Sequence, residues 1–355
     1  MKRRWFKLWV LVFALLSLPY FLVVLVLVFE RVRGQRALAA YNKQLLLSGE
    51  TLDIAAHRGP RVPNAEDGLP EVLRLFSKLP KNSPMRSGSP KKMEMLSPAL
   101  ARPSFLLTQW VSIVGIDQTV TNDWGTMEIY LKANEATLAA LRIALQKKGF
   151  NSTNDYSLGF GSGIGPLAQM KSLAPTFSTA ACDALHQGER EQALDNIVAQ
   201  LNTMRTIDNN RVAITEMVRE AISTIGFATT WEALQVNGWN DSQLTSLQEA
   251  WEKVSHLTNM VQAIEGERAV ATAYYGIYAK SNDKTYQSMS MTLGRDFGGS
   301  DDLSVNSMDG LFRKQIFTRV WRFSWLQQDE VRYFQGLDYL MRKTAAYSSV
   351  PDLEL

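Results

Sequence analysis

The stretch Leu167–Arg205 reads LAQMKSLAPTFSTAACDALHQGEREQALDNIVAQLNTMR, and its period decides the fold class. Leu167, Met170, Leu173, Phe177, Ala181 and Leu185 recur every three or four residues, which gathers them on one face of an α-helix. Pro175 is expected to bend that helix, and Gly188 to turn the chain. Ala193, Leu194, Ile197, Leu201 and Met204 then repeat the period. Two helices joined by so short a connection pack antiparallel. The same pattern extends in both directions. Upstream, Met127, Leu131, Leu138, Leu141 and Leu145 mark a helix stopped by Lys147-Lys148-Gly149. Downstream, Ile214, Val218, Ala221, Ile225 and Ala228 mark a helix ending at Asn237-Gly238. Asp241 or Ser242 is expected to cap the next, through Leu244, Leu247, Trp251 and Val254. Met260, Ile264, Ala271, Tyr275 and Tyr278 mark another. Residues 121–279 are thus expected to form an all-α body of antiparallel helical hairpins.

Residues 1–36 have a different character. Leu8 to Phe29 is a 22-residue run without a charge. A helix of roughly 20 such residues spans the hydrocarbon core of a bilayer. Ala37-Leu38-Ala39 resembles the cleavage site of a signal peptide, the competing reading of this segment. The run exceeds an ordinary signal sequence, however, and Arg31, Arg33 and Arg36 separate it from that site. It is therefore read as an N-terminal transmembrane helix that stays in place as an anchor, with the lipid bilayer as partner of residues 8–29. Lys2, Arg3, Arg4 and Lys7 precede it and favour an N-terminus in the cytoplasm. This places the bulk of a single-pass protein of the inner (cytoplasmic) membrane outside the cytoplasm.

Residues 37–48 continue a helical period. Eight of the twelve prolines then fall between Pro60 and Pro103, so residues 37–120 read as a short helix followed by a Pro-rich, extended arm. Within it Leu69–Leu79 and Phe105–Ile116 are expected to dock as strands or single turns. Residues 280–309 lack a period and read as a flexible loop. The segment 310–355, with Phe312, Trp321, Trp325, Tyr333 and Tyr339, is helical again and rich in aromatic groups.

Of the formal net charge of +3, residues 1–36 contribute +6, so the body is mildly acidic. No basic block suits a nucleic-acid backbone, and no nucleic-acid partner is expected. The single cysteine, Cys182, excludes an intrachain disulfide. His57, His186 and His256 lie far apart, so neither a metal nor another cofactor is expected.

The segment 174–206 resembles one tetratricopeptide unit. Phe177 takes the large aromatic position, Ala181 and Ala193 the small contact positions, Gly188 the turn and Ile197 the next large site. Gln200 and Arg205 depart from that pattern, no second copy follows, and an isolated hairpin meets it equally well. The whole chain resembles uncharacterised bacterial single-pass, membrane-anchored α-helical proteins, through Pro60-Arg-Val-Pro63 and a Gly-Glu-Arg-Ala element at Gly266–Ala269. That resemblance implies architecture and location and carries no assigned activity.

The glycines of Gly159–Gly165 match a phosphate-loop pattern only loosely. They lack the strand before them that such loops require, and read as a connector. Arg313, Lys314, Arg319 and Arg322 with Trp321 and Trp325 read as a packed helix with solvated arginines, or as a surface for anionic lipid. Glu267 and Arg268 border the apolar face of the helix through Ile264, Ala271 and Tyr275. A charge on a buried face needs a partner, so they are expected to form a structural ion pair with another helix. The sharper reading makes Glu267 an acid–base group and Arg268 a clamp for an anionic ligand. No nucleophile–base pair can be drawn, and no catalytic residue is nominated. Three functions stay open: an extracytoplasmic protein-interaction protein with a protein partner, a scaffold, and an envelope hydrolase or ligand-binding protein at Glu267 and Arg268.

Overall fold

The hairpin at Gly188 is built as its period implies. Helix α4 spans Leu167–His186 and α5 spans Arg190–Arg205. Gly188 takes φ +81°, the left-handed conformation that glycine adopts without strain. The Gly188 N–H donates to the Leu185 carbonyl at 3.1 Å, and that of Glu189 to Ala184 at 2.7 Å. This double bond pattern closes the carbonyls left open at a helix end. A Cβ at Gly188 would meet no atom within 4 Å, so the backbone angle alone selects glycine here. Pro175 sits inside an unbroken α4.

The computed structural model describes residues 2–80, 93–95, 101–103, 124–152, 156, 159, 165–254, 256–280 and 318–348, with the side chains of α1 described from Leu16. The fold is all-α apart from a two-stranded antiparallel ladder, β1 (Met93–Met95) with β2 (Ala101–Pro103). Residues 281–317, which include the expected loop, lie outside the described residues, as does Phe105–Ile116. The chain divides into two units.

One unit holds residues 57–154 and 163–267. Its core gathers α2 (Leu69–Lys78), α3 (Trp124–Leu145), α4 and α5. Met127, Leu138, Leu141, Leu145, Met170, Leu173, Phe177, Ala181, Ala193 and Ile197 are fully buried, as their spacing predicts. Helix α2 corrects the expectation of strands or single turns for Leu69–Leu79. Pro70 lies in the first turn, where its missing N–H has no helical acceptor to lose. The Asp67 carboxylate accepts from the Leu69 N–H at 3.0 Å, and Leu69, Val72, Leu75 and Phe76 enter the core. The Pro-rich stretch is therefore not wholly an extended arm.

Helix α6 spans Ala213–Leu234, as its period implies. Of the apolar residues that mark this helix, Ile214 is exposed and Val218, Ala221, Ile225 and Ala228 are half-buried, with Val218 and Ile225 packed against the core. The buried face carries Thr215, Glu216, Arg219, Ile222, Thr229, Thr230, Glu232 and Ala233. Met217, Phe227, Trp231 and Leu234 face outward, Phe227 at 65% exposure. Polar bonding decides this orientation. Arg219 lies buried against Glu216 at 3.2 Å and against Asp208, and donates to the Met204 carbonyl at 3.2 Å. Thr229 bonds Ser178 at 2.6 Å. Helix α7 (Asp241–Glu252) is capped one residue earlier than expected, by Asn240 in a reciprocal capping box with Gln243.

The other unit holds residues 1–56, 155–162 and 268–343. Helix α1 runs unbroken over Lys2–Leu47, through Pro19. Its C-terminal part packs on α9 (Thr318–Ser324) and α10 (Leu326–Ser348). Gln328 donates to both the carbonyl and the carboxylate of Glu30, and Tyr41 stacks on Phe334 with centroids 5.4 Å apart. Gly159, at φ +59°, lies so close to Tyr274 that a Cβ would come within 2.7 Å of its backbone. Among the described residues, no helix is long and apolar enough to cross a membrane. Leu8–Leu15 of the run read as a span lies outside the described side chains.

Candidate functional site

Helix α8 (His256–Lys280) carries the Gly266-Glu267-Arg268-Ala269 element, and each of its residues has a defined contact. Gly266 approaches the backbone of Arg211 so closely that a Cβ would fall 1.8 Å from its carbonyl oxygen. Glu267 accepts from the Ala213 N–H at 3.0 Å. Ala213 begins α6, where the first N–H groups have no helical acceptor, so this carboxylate caps a helix and complements its dipole. Ala269 is buried at 1% exposure.

Arg268 is also 1% exposed, and its guanidinium bridges Glu50 and Asp338. Asp338 in turn accepts from the Tyr41 hydroxyl at 2.8 Å. Burial, and then the bond to Asp338, raise the Tyr41 phenol above its ordinary range and keep it a donor. Glu267 and Arg268, adjacent in sequence, thus serve separate sets of partners in separate units. Both sets are structural in geometry: a helix cap, and a cation sealed between two carboxylates. His256 opens α8, eleven positions before Glu267, and its side chain lies outside those described.

Removing the Glu267 carboxylate removes one cap. Glu267→Ala is expected to cost ~1 kcal/mol. Hydrogen exchange at the first turn of α6 reads that loss, and an unchanged exchange rate there would refute the capping role.

Further titratable groups displaced from their ordinary values lie elsewhere, and sequence reasoning missed them. Burial pushes the Glu330 carboxyl on α10 up to about 7. In the folded chain Glu330 therefore keeps a proton that the unfolded chain, with an ordinary value of 4.5, has already released. Its contribution to stability is fully present below the unfolded value and is lost as pH rises through about 7. Glu330→Gln is expected to flatten this slope and to raise stability near pH 8 by ~1–2 kcal/mol. Denaturation midpoints of both proteins near pH 5 and near pH 8 check it. A larger advantage at the lower pH would contradict the assignment. Burial likewise pushes Glu216 up to about 7 and draws its partner Arg219 down to about 10. The Cys182 thiol, wholly enclosed, is pushed up to about 12 and is no nucleophile at neutral pH.

An open groove of about 370 Å³ lies beside α6, at the border of its buried and exposed faces, lined by Glu216, Glu220, Thr224, Phe227, Trp251 and Met260. Trp251 is held by its indole N–H, which donates to the Thr230 hydroxyl at 3.1 Å. The walls are apolar and aromatic, with two carboxylates one helical turn apart at Glu216 and Glu220. Among the described residues, no group of three His, Cys, Asp or Glu side chains could hold a metal ion. Asn151 bonds both backbone polar groups of Val62, and Asn240 caps α7, so both asparagines serve structure. Comparisons with protein-family models, curated proteins and solved structures find no match to this chain.

Proposed function

We propose that this chain is a membrane-anchored α-helical protein whose extracytoplasmic body binds or scaffolds other proteins through the outer face of α6. The observation that carries this reading is the set of large apolar side chains this helix exposes. Charged and hydroxyl groups are buried, while Met217, Phe227, Trp231 and Leu234 are left in water. Large exposed apolar groups gathered on one side of a helix, here Phe227, Trp231 and Leu234 with Met217 further along, mark a contact surface.

Helix α1 supports the anchor. From Leu16 to Phe29 its described apolar side chains point outward on every face, Leu16 at 72% and Phe29 at 63% exposure. A helix apolar all round belongs in a core or a bilayer. Leu8–Leu15 completes the length a bilayer requires. The basic residues before the run favour the inner membrane and a body outside the cytoplasm. Confinement to the membrane raises the effective concentration of weakly bound partners. The resemblance to anchored bacterial proteins with a tetratricopeptide-like hairpin agrees with this architecture. The hydrolase reading gains nothing from the geometry, because Glu267 and Arg268 are engaged in a cap and an ion pair.

Alkaline extraction of native membranes, followed by crosslinking and recovery of the protein, tests both parts. The full chain is expected in the pellet with a partner at comparable yield. A form beginning at Glu30 is expected in the supernatant without it. Extraction of the full chain at high pH would overturn the anchor, and its recovery alone after crosslinking would overturn the interaction.

A further inference from the structure

We infer that the outer face of α6, with the groove beside it, is a docking site for a basic amphipathic helix of a partner protein. This deepens the interaction reading and rests on it. At 100° per residue, Met217, Glu220, Thr224, Phe227, Trp231 and Leu234 fall within a strip roughly 100° wide on one side of α6. The strip runs for about 26 Å, the length of a helix of some five turns. Side chains at successive turns of a partner helix would meet Met217, Phe227, Trp231 and Leu234 in order, as in other helix-in-groove contacts. Methionine and tryptophan suit such a surface, because their apolar bodies adapt to or anchor an incoming side chain.

Charge selects the class of helix. Between Ala213 and Lys253 the exposed acidic residues are Glu220, Asp241, Glu249 and Glu252, against one exposed basic residue, Lys253. Arg219 is buried against Glu216 and Asp208, so it offers no positive charge to the outside. Glu220 stands exposed within the apolar strip, and Glu249 and Glu252 are exposed on α7. Lysine or arginine flanking the apolar seam of a partner would meet these carboxylates, which sets orientation and speeds encounter. The same charges repel an anionic membrane surface, so lipid is disfavoured as the occupant. An extended peptide gains nothing either, because a pair of helices has no sheet edge to extend.

The test uses the full chain in nanodiscs of zwitterionic phosphatidylcholine. The probe is a fluorescent helical peptide of about 18 residues, with leucines at helical spacing and lysines on both flanks. A second peptide has glutamate in place of every lysine. The lysine peptide is expected to bind at least about tenfold more tightly than the glutamate peptide, and to weaken at least about tenfold in high salt. Glu220→Lys is expected to reverse the preference, and Phe227→Ser to weaken both peptides. Both positions are exposed, and circular dichroism confirms that each variant folds. Equal binding of the two peptides, no binding of either, or an unaltered preference in Glu220→Lys would each overturn the inference. So would capture of phosphatidylglycerol vesicles by this face in place of the lysine peptide. If the peptides fail while a partner still co-purifies from membranes, only the basic helix is lost. If no partner co-purifies, the interaction reading falls with it.

Discussion

Arg268→Met is expected to destabilise the unit built from α1 and α10 by ~3–5 kcal/mol. The guanidinium is sealed at 1% exposure between Glu50 and Asp338. Its removal leaves two carboxylates facing each other without a cation, and most of the loss is the penalty of that unpaired charge. Tyr41 can satisfy only one oxygen of Asp338. Hydrogen exchange along α10 reports the loss where it arises, and protection there should fall by about two to four powers of ten. A triple variant with Glu50→Gln and Asp338→Asn is expected to recover much of it, since neutral amides no longer require the cation. The sharper reading of Arg268 as a ligand clamp predicts the reverse: the single variant would keep its stability and lose only a ligand.

Gly266→Ala is expected to destabilise the other unit by about 3 kcal/mol. A Cβ there would lie 1.8 Å from the Arg211 carbonyl oxygen, and backbone cannot swing aside as a side-chain end can. Relief requires moving the segment that leads into α6, which also strains the bond from Ala213 to Glu267. Helix propensity alone predicts the opposite sign, because alanine exceeds glycine in a helix interior by ~1 kcal/mol. At Gly276, on the same helix, an added Cβ would meet no atom within 4 Å. Gly276→Ala is therefore expected to stabilise slightly. Thermal or denaturant unfolding of the two variants side by side separates packing from propensity. Stabilisation by both would show that the close approach at Gly266 does not exist.

The hairpin at Gly188 was legible because two local signals agree: an apolar period of three and four residues, and a glycine at the turn. The buried positions of α3, α4 and α5 follow from the same period. The buried face of α6 was not legible, because apolar residues occur around most of its circumference and no single stripe dominates. That face is chosen by Arg219 with Asp208 and by Thr229 with Ser178, contacts between separate elements that local spacing does not encode. Helix α2 was missed because proline was weighed as a breaker, although Pro70 occupies the first turn, where it is tolerated. For Arg268 the need for a partner was legible and the partners were not: Glu50 and Asp338 lie 218 and 70 positions away. Gly266 did carry a usable sign, since a glycine inside a helical period implies a close approach.

The outer face of α6 is proposed above as the contact surface of an anchored protein. Its most direct measurement places a photo-crosslinking residue at Phe227 or Trp231 of the full chain in intact membranes. Ile143, exposed at 70% on α3, serves as the control position. One discrete heavier species is expected from both α6 positions and none from Ile143. No adduct from Phe227 and Trp231, or the same adducts from all three positions, would contradict the proposal.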